Sequence, residues 1–81
     1  MDRNEIVFKI NSVLSDEFEK DASLMEPEAD IFETLDLDSL DLVDLVVLIE
    51  RNFGVVVKGH DLKNVKTFND FYDFLNCKIN G

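Results

Sequence analysis

Residues 35–53 read LDLDSLDLVDLVVLIERNF, and this stretch decides the fold because its apolar residues recur with helical periodicity. We predict a helix that is capped by Asp38 or Ser39, runs to about Asn52 and stops at Gly54. On a helical wheel one apolar set falls within a single arc, which predicts a core-facing side. That set is Leu42, Leu45, Val46, Ile49 and Phe53.

A second apolar stripe lies on the opposite side of the same predicted helix. It consists of Leu40, Val43 and Val47, interleaved with Asp41, Asp44 and Arg51. A small bundle buries only one side of such a helix, so we expect an exposed apolar strip rimmed by carboxylates, which usually marks a partner site. The alternative is that the preceding loop covers Val43 and Val47.

Two further amphipathic helices flank this one. The first is predicted to have Asn4 as its N-cap and to end near Phe18 or Lys20, with its apolar residues at Val7, Ile10, Leu14 and Phe18, beside Ile6 and Val13. The last is predicted to begin with a Thr67-x-x-Asp70 capping box. Its apolar positions are Phe68, Phe71, Tyr72 and Leu75.

The connecting segments predict the rest of the fold. Residues 21–37 have no sustained period, and Leu24, Ile31, Phe32 and Leu35 are expected to pin this loop to the bundle, with a short helical turn around Ile31. Residues 55–57 should be extended without pairing in a sheet, and residues 60–65 should form short turns. We therefore predict a single all-α domain over residues 1–81. It is a small four-helix bundle with three main helices, one short helix and a long loop between helices 1 and 2.

Charge narrows the classes of partner. The chain has 18 acidic and 8 basic residues, a net charge of −10, and every charged residue from Asp21 to Glu50 is acidic. Such a surface should repel nucleic acid and anionic membranes and attract basic protein surfaces. Cys77 is alone, which rules out an internal disulfide, and we find neither a signal peptide nor an apolar run long enough for membrane insertion. We expect a monomer in the cytoplasm, or in the stroma or mitochondrion if a transit peptide has been removed.

Ser39 is well placed for modification but poorly equipped for catalysis. It stands at the mouth of the central helix, and the only histidine, His60, is distant in sequence and beside no orienting group. The setting Leu35-Asp36-Leu37-Asp38-Ser39-Leu40-Asp41-Leu42-Val43 resembles the modification site of acyl carrier proteins, and the resemblance extends over nearly the whole chain. In that family the serine carries a 4′-phosphopantetheine arm.

The resemblance implies a non-catalytic carrier that is itself the substrate of a phosphopantetheinyl transferase. Ser39 would be the attachment site, with Asp38 and Leu40 completing its recognition motif, and acyl intermediates would be held as thioesters for fatty acid or related specialised biosynthesis. Acyl-transferring and condensing enzymes with basic docking surfaces would be the other partners. The family's partner-binding residues would correspond to Leu40, Asp41, Val43, Asp44 and Val47.

The arm itself is expected to be mobile. Free N–H groups at a helix N-terminus favour a phosphodiester on Ser39, whereas Asp36, Asp38 and Asp41 crowd it with like charge. We therefore expect the arm to be held outward.

Three positions depart from the family's common pattern. Asp36 stands where the family often has Gly, Arg51 stands where it usually has an acid, and residues 58–61 replace a Pro and a run of acids. These changes favour a carrier dedicated to one pathway over a general fatty-acid role.

Other classes of protein fit the sequence less well. A peptidyl or aminoacyl carrier has the same arm, but usually has glycines before the serine motif and is less acidic. A calcium loop would need an acid or Asn at position 40 and Gly at position 41, where this chain has Leu40 and Asp41. We therefore predict no specific metal site, only weak stabilisation of the acidic fold by divalent ions. No nucleophile with a base, Gly-rich phosphate loop or metal motif supports an enzyme.

Overall fold

The computed structural model describes all residues from 1 to 81 and contains helices but no strands. The α-helices are α1 (Arg3–Phe18), α2 (Ile31–Leu35), α3 (Ser39–Phe53) and α4 (Phe68–Asn80). Two 3₁₀ segments, Ala22–Leu24 and Gly59–Asn64, lie in the connections. This confirms the predicted all-α fold with three main helices, and it supplies one short α-helix together with the two 3₁₀ segments.

The predicted cap of α1 was wrong by two residues. Asp2, not Asn4, is the N-cap, and its carboxylate accepts a hydrogen bond of 2.9 Å from the Glu5 N–H. Both residue types are good caps, but a carboxylate also interacts favourably with the helix dipole. The predicted end at Phe18 is confirmed, and Glu19 follows it in the left-handed conformation with φ 55°.

The core consists of hydrophobic side chains from every α-helix and from the connections between them. All four predicted positions of α4 are buried. Of the five core positions that the wheel predicts for α3, Leu45 and Ile49 are buried, whereas Leu42, Val46 and Phe53 are half-buried. In α1 the buried residues are Ile6, Ile10 and Leu14, whereas Val7 and Phe18 are only half-buried. The predicted face of α1 is therefore rotated slightly, because an i, i+4, i+8 row points most directly at the core.

The long connection after α1 is pinned by backbone hydrogen bonds to the start of α4. Asp30 and Thr67 form an isolated antiparallel bridge, within which the Ile31 N–H donates to the Lys66 carbonyl and the Phe68 N–H to the Ala29 carbonyl, at 2.9 and 3.1 Å. The predicted pinning is confirmed, but one predicted anchor is wrong. Met25 is buried, whereas Leu24 is 52% exposed, because the 3₁₀ segment turns Leu24 towards solvent.

The segment after α3 returns along that helix. Gly54 ends α3 with φ 71°, and residues 55–57 are extended without a strand partner, as predicted. Val57 and Leu62 are buried, which packs the 3₁₀ segment Gly59–Asn64 against α3. The face of α3 that begins at Ser39 therefore borders this returning segment.

No helix combines the length and the apolar character that crossing a membrane requires.

Candidate functional site

Ser39 is the first residue of α3 and is exposed to solvent. Its hydroxyl makes no hydrogen bond within the protein. His60 makes no hydrogen bond to Ser39, and its imidazole Nε2 lies 3.4 Å from Oδ1 of Asp61. The Ser39 hydroxyl is therefore open to a modifying enzyme.

A reciprocal capping box fixes the backbone around Ser39. Oδ1 of Asp38 accepts hydrogen bonds from the Leu40 and Asp41 N–H groups at 2.9 and 3.0 Å, and Oδ2 of Asp41 accepts from the Asp38 N–H at 3.0 Å. Asp38 is thus the cap, one of the two residues predicted. The role of Asp41 was missed, although the Asp-x-x-Asp spacing of a capping box is visible in the sequence.

This capping box alters the expected environment of an anion on Ser39. The amides of Leu40 and Asp41 already donate to a carboxylate, so they are not free for a phosphodiester. The expectation that free N–H groups of the helix start would favour the phosphate is wrong for these two groups. The attraction that remains at this helix start is that of the Ser39 N–H and the helix dipole, and any further attraction has to come from side chains.

Asp36 ends α2 in the left-handed conformation, with φ 54° and ψ 48°. An L-residue is strained there, and glycine adopts this conformation at no steric cost. Glycine, which the resemblance leads us to expect at this position, would adopt the same backbone without that strain. The Asp36 side chain is exposed close to the start of α3, where it adds to the negative charge.

The apolar stripe of α3 is open to solvent, and the long loop does not cover it. Leu40 is 76% exposed, Val43 63% and Val47 45%. Asp44 is exposed between them, while Asp41 is half-buried because its carboxylate closes the capping box. The structure thus brings the predicted partner residues together on one face beside Ser39.

A cleft of about 470 Å³ opens next to Ser39, between α3 and the returning segment. Its α3 wall includes Leu42, Val43 and Val46, and its opposite wall includes Val57, Lys58 and Lys63. The sequence predicted Leu42 and Val46 as part of the core and Val43 as part of the exposed stripe. It did not predict the cleft, because the position of residues 57–63 was not evident from periodicity. The half-buried state of Leu42 and Val46 follows from this opening.

The acidic residues do not converge on a metal site. No group of three His, Cys, Asp or Glu side chains is arranged to hold an ion, and the carboxylates of Asp38 and Asp41 are occupied by backbone N–H groups. Weak, diffuse stabilisation by divalent ions stays a prediction.

Comparison with known proteins gives a consistent answer. A family profile described as "Phosphopantetheine attachment site" matches residues 9–75. The chain is 35% identical over 79 residues to the acyl carrier protein of Thermosynechococcus vestitus, covering 98% of each chain. It is 39% identical over 77 residues to the acyl carrier protein of Thermotoga maritima, covering 95% of each chain. It is also 39% identical over 70 residues to acyl carrier protein 2 of Ralstonia nicotianae, covering 86% of each.

The profile spans α1 to α4, including the whole of α3 and both walls of the cleft, and the relatives align over nearly the full length of the chain. This chain belongs to the acyl carrier protein family, whose cofactor is phosphopantetheine.

Proposed function

We propose that Ser39 carries the phosphopantetheine arm and that the protein transports acyl groups as thioesters on the thiol of that arm. The observation that supports this most directly is the exposed, unpartnered Ser39 hydroxyl at the rigid start of α3, beside an open apolar cleft. Asp38 and Leu40 flank the serine as its recognition motif. Because the Ser39 hydroxyl is exposed, a transferase can reach it without rearranging the core.

In this proposal, the arm is loaded by transfer of the phosphopantetheine group from coenzyme A to Ser39. The Ser39 Oγ forms a bond to the phosphorus that bears the pantetheine of coenzyme A, while the bond to the 3′,5′-ADP portion breaks. The hydroxyl proton passes to a base of the transferase. The capping box holds the Ser39 backbone in place during this step, which limits the entropy lost when the transferase binds.

The cleft suits a role in sheltering the cargo. Its α3 wall is apolar, and it opens beside the attachment residue, so an acyl chain on the arm could transfer apolar surface out of water. We propose a fatty acid or a related specialised lipid or polyketide cargo. A peptidyl or aminoacyl cargo is the alternative, and the acyl carrier names of the relatives favour the first class.

The partner surface in this proposal is the exposed stripe of α3 with its acids: Leu40, Asp41, Val43, Asp44 and Val47. Phosphopantetheinyl transferase, acyl-transferring enzymes and condensing enzymes would dock there through basic surfaces, and the acids would speed encounter more than they tighten it. The net charge of −10 opposes self-association, which supports a monomer. We place it in the cytoplasm with its transferase and coenzyme A.

The test of attachment is the intact mass after incubation with coenzyme A and a broad-specificity phosphopantetheinyl transferase. We expect wild type to gain one phosphopantetheine and Ser39→Ala to gain none. Ser12→Ala, an exposed serine on α1, is the matched control and should load like wild type. Loading of Ser39→Ala, or no loading of a folded wild type, would contradict the proposal.

The partner surface is tested by the initial rate of the same loading reaction. Val47→Ala should lower kcat/KM because it trims the exposed stripe, while leaving the fold intact. Val56→Ala is the control, since Val56 is also exposed but lies outside α3. Equal kcat/KM values for the two variants would show that Val47 is not part of the docking surface.

A further inference from the structure

The two walls of the cleft beside Ser39 differ in charge. On the α3 side, the cleft-lining residues lie within the stretch Asp21 to Glu50, in which every charged residue is acidic. The opposite wall carries Lys58 and Lys63, which are the cationic residues of the cleft lining. A strongly acidic protein thus has two positive charges at the opening that its candidate modification site also borders.

Neither lysine is neutralised within the protein. The ion pairs of the structure are Arg3 with Asp73 and His60 with Asp61, so no carboxylate lies within 4.0 Å of the Lys58 or Lys63 ammonium group. The backbone N–H of Lys58 donates to Asp61, but the side chain makes no hydrogen bond. Both side chains are exposed and free to turn towards an anion at the cleft.

The start of α3 has fewer free N–H groups for an anion on Ser39 than a helix N-terminus usually has. Asp38 occupies the N–H groups of Leu40 and Asp41, and its own negative charge lies next to the serine. A phosphodiester attached to Ser39 is therefore repelled on the α3 side. The nearest compensating charge along the cleft is that of the two lysines on the opposite wall.

We propose that Lys58 and Lys63 attract the phosphodiester of the arm, so that the arm leaves Ser39 across the cleft and not outward into solvent. This inference rests on the proposed attachment at Ser39 and adds to it a positioning role for two residues outside the serine motif. It replaces the expectation of an arm held outward. Its consequence is that the thioester end of the arm is brought back over the apolar walls formed by Val43, Val46 and Val57.

The attraction is between exposed charges and must therefore depend on salt. The Debye length falls from about 10 Å at 0.1 M to about 3 Å at 1 M ionic strength, so high salt should release the phosphodiester. A steric or purely apolar cause for the path of the arm would not respond in this way. Salt dependence thus separates the proposed cause from packing.

The test uses fully loaded protein and ³¹P NMR of the single phosphodiester. Loading is driven to completion with excess transferase and checked by intact mass before each spectrum. Wild type is compared with Lys58→Gln/Lys63→Gln, with the charge-retaining Lys58→Arg/Lys63→Arg, and with Lys20→Gln/Lys66→Gln. The last pair removes the same charge at positions outside the cleft lining.

We expect the ³¹P shift of wild type to differ from that of the urea-unfolded protein at low salt and to move towards it at 1 M NaCl. The Gln pair at the cleft should show the unfolded-like shift at all salt concentrations, while the Arg pair and the Lys20/Lys66 pair should behave like wild type. Identical shifts and salt responses in wild type and in the cleft Gln pair would overturn the inference while leaving attachment intact. Failure of wild type to load would instead overturn the proposed function.

Discussion

The N-termini of α3 and α4 have the same kind of cap, but one is exposed to solvent and the other is buried in the bundle. Each has a reciprocal capping box with aspartate at the third helical residue: Asp38 with Asp41 in α3, and Thr67 with Asp70 in α4. In α4 the residue after the cap is Phe68, which is fully buried. In α3 it is Ser39, which is exposed.

The backbone hydrogen bonds around the two caps differ as well: those at α4 reach a distant segment, and those at α3 are local. The backbone around Thr67 bonds to residues 27–31 of the long connection, so that start closes the bundle. The Leu37 N–H, just before Asp38, donates to the Phe32 carbonyl of α2, and the capping groups of Asp38 bond only within the first turn of α3. None of these bonds covers Ser39 or Leu40, and both stay exposed. The capping signal therefore predicts where a helix begins, and the residue that follows the cap decides whether that start is buried or presented.

The largest expected difference between the two starts comes from removing their apolar side chains. Phe68→Ala should lower the free energy of unfolding by about 3–5 kcal/mol, as is typical of a buried Phe, whereas Leu40→Ala should change it by no more than about 0.5 kcal/mol. Urea unfolding followed by circular dichroism measures both. Similar losses for the two variants would mean that Leu40 is buried in solution.

Removing the neutral cap is expected to have the next largest effect. Thr67→Ala deletes the acceptor of the Asp70 N–H and should cost about 0.5–2 kcal/mol. Asp38→Asn keeps an oxygen for the Leu40 and Asp41 N–H groups and lowers the local negative charge, so it should cost less. A greater loss for Asp38→Asn than for Thr67→Ala in the same urea experiment would reverse this ranking.

The cap of α4 should also contribute to the pH dependence of stability. Hydrogen bonds from the backbone N–H groups of Thr67 and Lys66 hold the pKa of Asp70 below its usual value. Because the folded state then binds this proton more weakly, the contribution is complete above the unfolded pKa of about 3.9 and is lost as pH falls through the folded pKa. The stability difference between wild type and Asp70→Asn should therefore shrink on acidification.

Lower pH also relieves the repulsion of a chain with net charge −10, so the comparison needs a charge-matched control. Asp44→Asn removes the same charge from an exposed carboxylate of α3 that accepts no hydrogen bond. Urea titrations between pH 3 and 7 would be run on all three proteins. An identical pH dependence for Asp70→Asn and Asp44→Asn would show that the cap hydrogen bonds do not matter.

The smallest expected change in stability concerns the backbone of Asp36, two residues before the cap of α3. Asp36 is left-handed before this start, whereas Val65 before the start of α4 is in ordinary extended backbone. Asp36→Gly relieves that strain but loosens the unfolded chain, so we expect a stabilisation of about 0.5 kcal/mol or less. Glu19→Gly, also left-handed but at the end of α1, should behave alike. A clear loss of stability in both, measured by thermal unfolding, would contradict this account.

Periodicity predicted the helices because each one faces a single core. The wheel separated Ile49, which is buried, from Val43, which is exposed, since a small bundle buries one side of α3. Asp38 and the Thr67–Asp70 box were predictable for a local reason, namely that their hydrogen bonds involve residues two or three positions away. The cap at Asp2 was missed because Asn4 is an equally good capping residue by type.

The features that were missed depend on contacts distant in sequence. The burial of Met25 in place of Leu24 follows from the direction in which the 3₁₀ segment Ala22–Leu24 meets the bundle, which periodicity in this short stretch does not predict. The cleft likewise needs residues 57–63 to lie against α3. The sequence therefore does not distinguish Lys58 and Lys63 from other surface lysines, and only the fold shows that they line the same cleft as Ser39.

The bridge between Asp30 and Thr67 has a consequence for the timescales of motion. It joins the two ends of a chain segment that contains α2, α3 and the second 3₁₀ turn, so α3 lies within a loop that is closed at its base. We expect that loop to loosen around α3 while its base stays intact, so that α3 opens as a separate unit. In hydrogen–deuterium exchange, the amides of Ile31, Phe68 and Asn69 should remain protected after those in the first half of α3 have exchanged. The region that presents Ser39 would then open many times for each global unfolding event.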